Sequence, residues 1–522
     1  MTTSNANRQI ARAAGTIMFA FILSNLVGLI RQVLISNAFG TTHIIDAFYV
    51  ASRYPDVIFN LIAGGALASA FIPTFTGYLA NERHTEAWKL ASGIINLVVL
   101  VLTLISIASA IFAPQIIRFI LAPDFAPDQQ ALAAHLMRIL LIAPTVFGFS
   151  GVVMGILNAH QRFLLPALAS TMLWMGYILG LILLVPSMGI YGLAWGAVLG
   201  AFLHLAIQIP DLLQLPERHF TFSLGLDNPA ARQVLVLMGP RLLGVAVVQL
   251  NFVVNTIIAS GLSEGSVSAI TYAFQIMTMP QVAIAQAIAI AALPTFSAQA
   301  ARGELGEMRI SLAATLRGVI LLSLPATIGL ILLRTPITMI LFQRGAFDAR
   351  STEMVSWALL WYTVGLVGHS IVEILSRAFY ALQDTKTPVY IGSIAMGLNV
   401  VFSFGFSALF AKIGWLPLGG LALANSLATA LEAVALFIVM RKRLKGMEGA
   451  YLAKGIRAFG LSTLGMALSL LVWIQYSQEM NGWLIALGGV AIGGLVYALS
   501  VWLLKVPEIK LLTSAVSNRL RR

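Results

Sequence analysis

Charged and amide side chains interrupt the apolar segments near the start of this 522-residue chain. Two successive apolar stretches carry the polar residues Ser24, Asn25, Arg31, Asp46 and Arg53. A guanidinium offers parallel N–H donors that match phosphate oxygens, so these arginines could bind a phosphorylated, amphiphilic ligand. The alternative is that these charges have a structural role and bind no ligand. Arg31 and Asp46 could reach a membrane surface, and Arg53 could form an ion pair with Asp56 on the same helix face.

Polar residues also occur in apolar stretches of the second half, at Arg241, Ser268 and Gln275. Further on, His369, Glu373 and Arg377 follow one another at every fourth position, which places them on one face of a helix. This stripe could line a polar cavity. Alternatively, Glu373 and Arg377 neutralise each other as an ion pair.

The composition identifies the elements that must position these side chains. Hydrophobic residues make up 59% of the chain, charged residues 10%, and the mean hydropathy is +0.90. A soluble protein carries roughly 25% charged residues, so this is a polytopic membrane protein. The chain has no cysteine, which excludes disulfides, thiolate metal sites and a thiol nucleophile.

Hydropathy predicts an all-α protein with about fourteen transmembrane helices. The predicted spans are 13–37, 44–79, 90–113, 134–157, 164–184, 188–208, 232–260, 266–297, 310–332, 354–382, 388–410, 416–440, 455–475 and 482–504. If the amino terminus is cytoplasmic, most of the basic residues fall in cytoplasmic loops and in the tail, as the positive-inside rule requires. The loop between spans 9 and 10 is an exception, since it carries Arg334, Arg344 and Arg350.

The net charge of +12 therefore belongs to short loops between spans, which gives no reason to expect a nucleic-acid partner. We expect a bacterial cytoplasmic membrane protein with both termini in the cytoplasm.

The sequence also contains an internal repeat. "AFIPTF" at 70–75 returns as "AALPTF" at 291–296, Pro166 returns as Pro388, and "GLAWG" at 192–196 returns as "GLALA" at 420–424. The three pairs occur in one order and at a nearly constant offset along the chain. Spans 1–6 and 7–12 are therefore predicted to be two six-helix lobes in parallel orientation, an arrangement found in alternating-access transporters. The predicted domains are 1–220, 221–445 and 446–522, the last holding helices 13 and 14 and a basic cytoplasmic tail.

Prolines recur at matching places in the two copies, at Pro55 and Pro73 in span 2 and at Pro280 and Pro294 in span 8. A proline frees a backbone carbonyl and kinks a helix, which a membrane tolerates where the helix faces protein or water. Bent helices at equivalent places in two repeats indicate a central binding site. The alternative is that these kinks serve packing alone.

The sequence contains no motif for catalysis, for a metal centre or for nucleotide hydrolysis, including the phosphate-binding loop of ATPases. We therefore expect no enzyme activity and no cofactor. Transport would be driven by the membrane potential or by an ion gradient.

Several segments carry a family resemblance, among them "GLIRQVLISNAFGTTHIIDAFYVASRYPDVIFNLIAGGALASAFIPTF", "GILNAHQRFLLPA", "GSVSAITYAFQIMTMP", "LFQRGAF" and "RAFYALQDTKTPV". From residue ~15 to ~440 the chain resembles the MurJ/MviN family of lipid II flippases, within the MATE-like MOP exporter superfamily. The resemblance implies two six-helix lobes around a central cavity, with two carboxy-terminal helices forming a groove for a lipid tail. It also implies transfer of an undecaprenyl-pyrophosphate-linked peptidoglycan precursor to the outer leaflet.

The chain departs from the family pattern at several charged positions. Asn25 stands where family members usually have an arginine, and Phe274 and Gln275 replace an acid and an arginine in span 8. A second arginine of span 2 is replaced by Phe59 or Asn60, and the carboxylates of a sodium site are replaced near Asn255, Asn399 and Ser403. Arg31 and Asp46 are kept.

The sequence thus predicts a lipid II flippase involved in peptidoglycan and cell-wall biogenesis and in cell shape. Arg31 and Arg53 would bind pyrophosphate, Ser24, Asn25, Ser268 and Gln275 would add neutral donors, and Asp46, Arg241 and Arg377 complete the predicted substrate site. The expected partners are a lipid-linked anionic cargo, membrane lipids and cell-wall synthesis enzymes. Two alternatives remain: an exporter of another lipid-linked saccharide or amphiphilic drug, and a scaffold for cell-wall enzymes that does not transport.

Overall fold

The structure is a computed structural model that describes residues 3–62, 66–216, 218–225 and 227–508. Side chains are described from residue 18 onward, except at positions 62, 66–70, 235, 237, 239–241, 243, 244 and 247. Within the described ranges every regular element is a helix, as the sequence predicts.

The chain divides into two compact units, and the first comprises Met1–Ser268 together with Arg344–Ala346. Its helices are α1 (Thr3–Phe39), α2 (His43–Ile62), α3 (Ala66–Ala80), α4 (His84–Ile111), α5 (Ala113–Ile116), α6 (Pro127–Leu140), α7 (Ile142–Ala159), α8 (Leu164–Leu179), α9 (Val185–Met188), α10 (Ile190–Ala206), α11 (Ile209–Leu213) and α12 (Pro229–Ser260). Two short π-helical segments, Ile117–Leu121 and Gly180–Leu184, continue α5 and α8.

The second unit comprises Ala269–Gln343 and Phe347–Arg522. Its helices are α13 (Ser266–Gln281, which begins in the first unit), α14 (Ala287–Ala301), α15 (Leu305–Phe342), α16 (Ala349–Val364), α17 (Leu366–Ala381), α18 (Lys386–Lys412), α19 (Leu418–Arg443), α20 (Gly449–Tyr476) and α21 (Gly482–Leu503). A π-helical segment, Val282–Gln286, separates α13 from α14.

The helices agree with the predicted spans. In the described part of the chain, 11 helical segments are long and apolar enough to cross a membrane, and the bent pair α16–α17 raises the number to 12. Of the two other predicted spans, 44–79 covers α2 and α3, with residues 63–65 lying outside the described residues, and 232–260 falls within α12. The protein is therefore a multi-pass membrane protein, and the predicted total of fourteen is close to what the helices provide.

The turns of the two copies repeat as well. Gln161 and Gln383 have positive φ angles of 60° and 58°, and Glu82 and Gly303 have φ angles of 54° and 73°. The members of each pair are separated by the same offset as the sequence repeat, and left-handed residues terminate helices by redirecting the chain. Both copies therefore fold these helix connections alike.

Two close helix crossings also recur. A Cβ on Gly192 would lie 2.5 Å from the carbonyl carbon of Leu184, and a Cβ on Gly420 would lie 2.5 Å from that of Phe406. Only glycine permits such an approach of two backbones. The crossings pack α10 on the end of α8 in one unit and α19 on α18 in the other.

The unit boundary near residue 268 differs from the predicted domain boundary at 220. The reason is that α12 packs against α2 and α3, so contact groups it with the first unit although it belongs to the second repeat by sequence order. The partition by repeats stays a prediction.

A buried ion pair secures the carboxy-terminal helices in the second unit. Nη2 of Arg317 in α15 donates to Oε2 of Glu508 at 2.9 Å, and the Arg317 side chain is only 3% exposed. The guanidinium also lies over the Tyr451 ring of α20, 3.9 Å from its centroid. The segment that follows α21 is thereby tied to both α15 and α20.

Candidate functional site

Arg31 is the centre of a polar cluster in the first unit. It is half-buried in α1, and its Cζ lies 4.2 Å from the ring centroid of Trp174 and 5.3 Å from that of Tyr177. A guanidinium over an aromatic face is held by cation–π attraction while its donors stay in the plane of the group. The two rings of α8 therefore fix the orientation in which Arg31 offers its N–H groups.

A short chain of hydrogen bonds supports the other side of Arg31. Its Nη2 donates to Oε1 of Gln32 at 2.9 Å, and Nε2 of the fully buried Gln32 donates to the hydroxyl of Tyr49 at 2.8 Å. Nε of Arg31 is buried and has no hydrogen-bond partner among the described residues. At least one donor of the guanidinium is thus not satisfied by the protein as described.

Arg53 lies on α2, on the side that meets α12. Its Nε donates to Oγ1 of Thr256 at 3.1 Å, and its Cζ lies 5.5 Å from the Phe252 ring centroid. The exposed carboxylate of Asp56 interacts electrostatically with both Arg53 and Arg31. Both predicted arginines therefore interact with the same carboxylate.

The arrangement suits an anionic group better than a cation, because two permanent positive charges face one negative charge. Phosphate oxygens accept charge-assisted hydrogen bonds from guanidinium groups. The aromatic rings around Arg31 add apolar surface for the remainder of an amphiphilic molecule.

Ser24 and Asn25 lie on the same helix as Arg31 but differ in exposure. Ser24 is buried, whereas Asn25 is exposed and donates from Nδ2 to the carbonyl of Phe21 at 2.8 Å. That bond occupies one of the two amide N–H donors of Asn25 and leaves its oxygen directed to the surroundings.

Asp46 has a structural role that the sequence did not indicate. Its carboxylate is buried and accepts backbone N–H bonds from Gly265 at 2.7 Å and from Ser268 at 2.8 Å. Gly265 immediately precedes α13 and the Ser268 N–H is an orphan donor of its first turn, so Asp46 caps the start of that helix from α2. Ser268 is also fully buried, and its hydroxyl donates to the Gly265 carbonyl. Both residues are engaged in joining α2 to α13.

The site residues predicted in the second half of the chain do not form one cluster of contacts. Arg377 forms an ion pair with Glu373 at 2.8 Å, as the neutralising alternative predicts. His369 contacts Oδ1 of Asn425 at 3.1 Å instead of continuing the stripe toward Glu373. Gln275 is half-buried on α13. The side chain of Arg241 lies outside the described residues.

Asn255, Asn399 and Ser403, where the family resemblance implies replaced carboxylates, each take part in a hydrogen bond within their own helix. Nδ2 of Asn255 donates to Oδ1 of Asn251 at 3.1 Å, and the hydroxyl of Ser403 donates to Oδ1 of Asn399 at 3.1 Å. Within the described part of the chain, no cluster of three or more His, Asp or Glu side chains could hold a metal.

Sequence reasoning missed the aromatic partners of Arg31. Trp174 and Tyr177 are three positions apart on α8, so they share a helix face, and that spacing is visible in the sequence. What the sequence did not reveal is that α8 packs against α1. Pairing between helices depends on long-range contacts, which local patterns in a single sequence do not reveal.

Known proteins with similar sequences and folds agree with this architecture. A family model described as "Lipid II flippase MurJ" matches residues 35–487. The lipid II flippase MurJ of Burkholderia cenocepacia is 32% identical over 482 residues, covering 90% of this chain and 91% of that protein.

Two solved structures share the fold. One is titled "Lipid II flippase MurJ, inward closed conformation" and matches with a TM-score of 0.80 at 24% identity, covering 94% of this chain and 99% of that one. The other is an inward-facing multidrug-resistance transporter of the MATE family, with a TM-score of 0.67 at 17% identity, covering 82% of this chain and 96% of that one. The match of the family model over most of the sequence and the identity to the Burkholderia protein lead to one conclusion: the chain belongs to the MurJ family of lipid II flippases, which are transporters and not enzymes.

Proposed function

We propose that this protein moves lipid II, the polyprenyl-pyrophosphate-linked peptidoglycan precursor, from the inner to the outer leaflet of the bacterial cytoplasmic membrane by alternating access. The observation that carries the proposal is the Arg31 cluster of the first unit. Arg31 is a half-buried cation held against the Trp174 and Tyr177 rings, in a chain that belongs to the MurJ family.

The pyrophosphate would bind to the edge of the Arg31 guanidinium, since the ring face is already occupied. Arg53 adds a second cation, whose Nε donates a hydrogen bond to the Thr256 hydroxyl. Asp56 reduces the net positive charge near both arginines. A transporter must release its cargo, so its affinity for the cargo must not be too high. The Asp56 carboxylate lowers the affinity for an anion and so favours release.

We propose that side chains of the protein bind the cargo without a cofactor. We infer that the membrane potential or an ion gradient drives the cycle, because the cargo is anionic. The basic loop after α19 and the basic tail favour an orientation with both termini in the cytoplasm. Cell-wall synthesis enzymes that use the flipped precursor are proposed partners.

Complementation tests the proposal. The intact gene is expressed in a bacterium depleted of its own lipid II flippase, and growth and cell shape are scored. We expect rescue by the wild type and loss of rescue by Arg31→Ala, while Arg118→Ala, which changes an exposed arginine elsewhere in the first unit, retains it.

The outcomes separate the alternatives. A well-inserted wild-type protein that gives no rescue would contradict lipid II transport and favour another lipid-linked saccharide, an amphiphilic drug or a scaffold role. Rescue by both variants to the same extent would leave lipid II transport standing and remove Arg31 from the binding site.

A further inference from the structure

A cavity lies in the second unit, among residues that do not belong to the Arg31 cluster. It has a volume of about 550 Å³ and is bounded by the end of α15, the first two turns of α16 and the turn between α18 and α19. This volume falls within the roughly 300–1,000 Å³ typical of small-molecule sites. The function proposed above does not use it.

The cavity carries one positive and one negative side chain that do not neutralise each other. Arg334 of α15 and Glu353 of α16 both line it, and no ion pair joins them in the described structure. The half-buried Arg334 donates from Nη1 to the carbonyl of Ile331 in its own helix at 2.7 Å, which uses one of five guanidinium donors. Glu353 is exposed and also lines the cavity. A ligand with both charges would satisfy both groups.

Tryptophan rings form an aromatic corner of the cavity. Trp357 and Trp415 both line it, with ring centroids 5.3 Å apart and planes at 83° to each other. Nε1 of Trp357 donates to the carbonyl of Leu416 at 3.0 Å, which holds the turn before α19 in place. Aromatic faces attract ammonium groups, so this corner reinforces the preference of Glu353 for a cation.

The position of the cavity indicates where its ligand comes from. It lies where α15, α16 and the α18–α19 pair all begin or end, and tryptophans concentrate at the boundary between membrane and water. Phospholipid headgroups occupy that depth. A zwitterionic headgroup carries a phosphate and an ammonium a short distance apart, which matches an arginine, a glutamate and an aromatic corner.

We propose that this cavity binds the headgroup of a zwitterionic aminophospholipid, with phosphate oxygens on Arg334 and the ammonium between Glu353 and the tryptophan corner. Anionic phospholipids would bind less well, because they supply the phosphate but bring no cation to Glu353. The site selects a membrane lipid by its headgroup, which is a property separate from cargo transport.

Native mass spectrometry of the purified, full-length protein tests the proposal. The protein is offered an equimolar mixture of phosphatidylethanolamine and phosphatidylglycerol, and the bound ratio is measured. We expect wild type to prefer phosphatidylethanolamine and Glu353→Gln to lower that ratio about fivefold, the range of a partly exposed charge pair. Arg334→Gln should weaken binding of both lipids about tenfold, since each loses a charge-assisted hydrogen bond to phosphate.

A control variant tests whether the change in lipid preference is specific to Glu353. Glu479→Gln removes an exposed acid elsewhere in the second unit and should leave the lipid ratio unchanged. Because Glu353 is exposed, its substitution does not threaten folding, and an unaltered elution volume in size-exclusion chromatography verifies this. Absence of a wild-type preference, an unchanged ratio in Glu353→Gln, or an equal loss in Glu479→Gln would each overturn the proposal.

Discussion

Arg162 and Asp384 occupy equivalent positions in the two repeats and carry opposite charges. Nη1 of Arg162, in the turn before α8, donates to Oδ1 of Asp211 at 3.1 Å, beyond the end of α10. Asp384, in the turn before α18, accepts from Nη1 of Arg443 at the end of α19. Each unit thus joins the equivalent turn to a residue at or just beyond the end of α10 or α19 by an ion pair, here named the loop clamp, whose polarity is reversed between the units.

The second loop clamp predicts a dependence of stability on pH. Burial of the Asp384 carboxylate raises its pKa, but hydrogen bonds from Thr387 and the Arg443 guanidinium outweigh burial and lower the pKa to about 2. The stabilisation is therefore fully present above the unfolded pKa of about 3.9 and is lost as the pH falls toward 2. We expect Asp384→Asn to lower the unfolding temperature in detergent at pH 7, with the difference from wild type shrinking only below about pH 4.

Two variants serve as controls for this clamp. Asp128→Asn changes an exposed acid in α6 and should show no such pH dependence. The double exchange Asp384→Arg with Arg443→Asp reproduces the polarity of the first unit and should recover part of the lost stability. A double variant no better than Asp384→Arg alone would show that the charges at this place are not interchangeable.

The contacts of Arg31 with aromatic rings predict that binding of a pyrophosphate lipid depends on the planar shape of the guanidinium as well as on its charge. Arg31→Lys keeps the charge but loses the planar fork, so binding of a pyrophosphate lipid should fall about tenfold. Trp174→Leu should reduce it about fivefold by removing the cation–π contact. Binding is measured by fluorescence titration with a labelled polyprenyl pyrophosphate. Trp195→Leu, which alters a partly exposed tryptophan of α10, is the matched control, and full affinity in Arg31→Lys would contradict the pyrophosphate site.

The cap on α13 predicts that Asp46 acts through stability. Asp46→Ala leaves the N–H groups of Gly265 and Ser268 unpaired in a buried place, at a cost of about 1–2 kcal/mol. We expect a lower unfolding temperature with the affinity of the remaining folded protein for pyrophosphate lipid unchanged. Loss of affinity without loss of stability would instead return Asp46 to the substrate site predicted from the sequence.

The repeated helix crossings predict equal sensitivity at two glycines. Gly192→Ala and Gly420→Ala each place a Cβ 2.5 Å from a backbone carbon, so the helices must separate at a cost of about 1–3 kcal/mol. Gly405→Ala in α18 meets no atom within 4 Å and should be neutral or stabilising, because alanine favours helix. Thermal unfolding of the three variants measures the contrast. Similar unfolding temperatures for Gly405→Ala and Gly420→Ala would mean that the crossing relaxes without cost.

The replaced arginines of the family pattern lead to a prediction for the second repeat. If other cations compensate, Arg241→Ala and Arg377→Ala should weaken pyrophosphate-lipid binding more than Gln275→Ala. Arg377 is paired with Glu373, so its removal also leaves a carboxylate without its partner. The double variant Glu373→Gln with Arg377→Gln removes both charges. If that double variant binds as well as wild type, the pair is structural.

The helical architecture followed from the sequence because its signals are local. Apolar length predicts each span, and prolines, glycines and turn residues repeat at a nearly constant offset, so the order of helices could be deduced before any contact was known. The split of span 8 by the π-helical segment Val282–Gln286 had no local signal beyond Pro280.

The candidate site was only partly predictable, because its contacts join distant parts of the chain. Arg31 and Arg53 stood out as charges in apolar segments, but their partners Trp174 and Thr256 come from helices far along the sequence. Asp46 was also predicted as a site residue because it is a charge in an apolar segment. Its carboxylate oxygens accept hydrogen bonds from backbone N–H groups at the start of α13, which is likewise distant in the sequence. A charge in an apolar segment signals that a partner exists, and the fold decides whether that partner is a ligand or another helix.

The ion pair between Arg317 and Glu508 changes where this protein can be shortened. Hydropathy alone would place a safe end just after Leu503, where α21 finishes. A chain cut there keeps the apolar helices of the described residues but leaves the Arg317 guanidinium buried without its carboxylate. Purification tags and fusion partners therefore belong beyond residue 508. If a protein trimmed after Leu503 expresses poorly, the expected cause is loss of the Arg317–Glu508 ion pair and not a failure of membrane insertion.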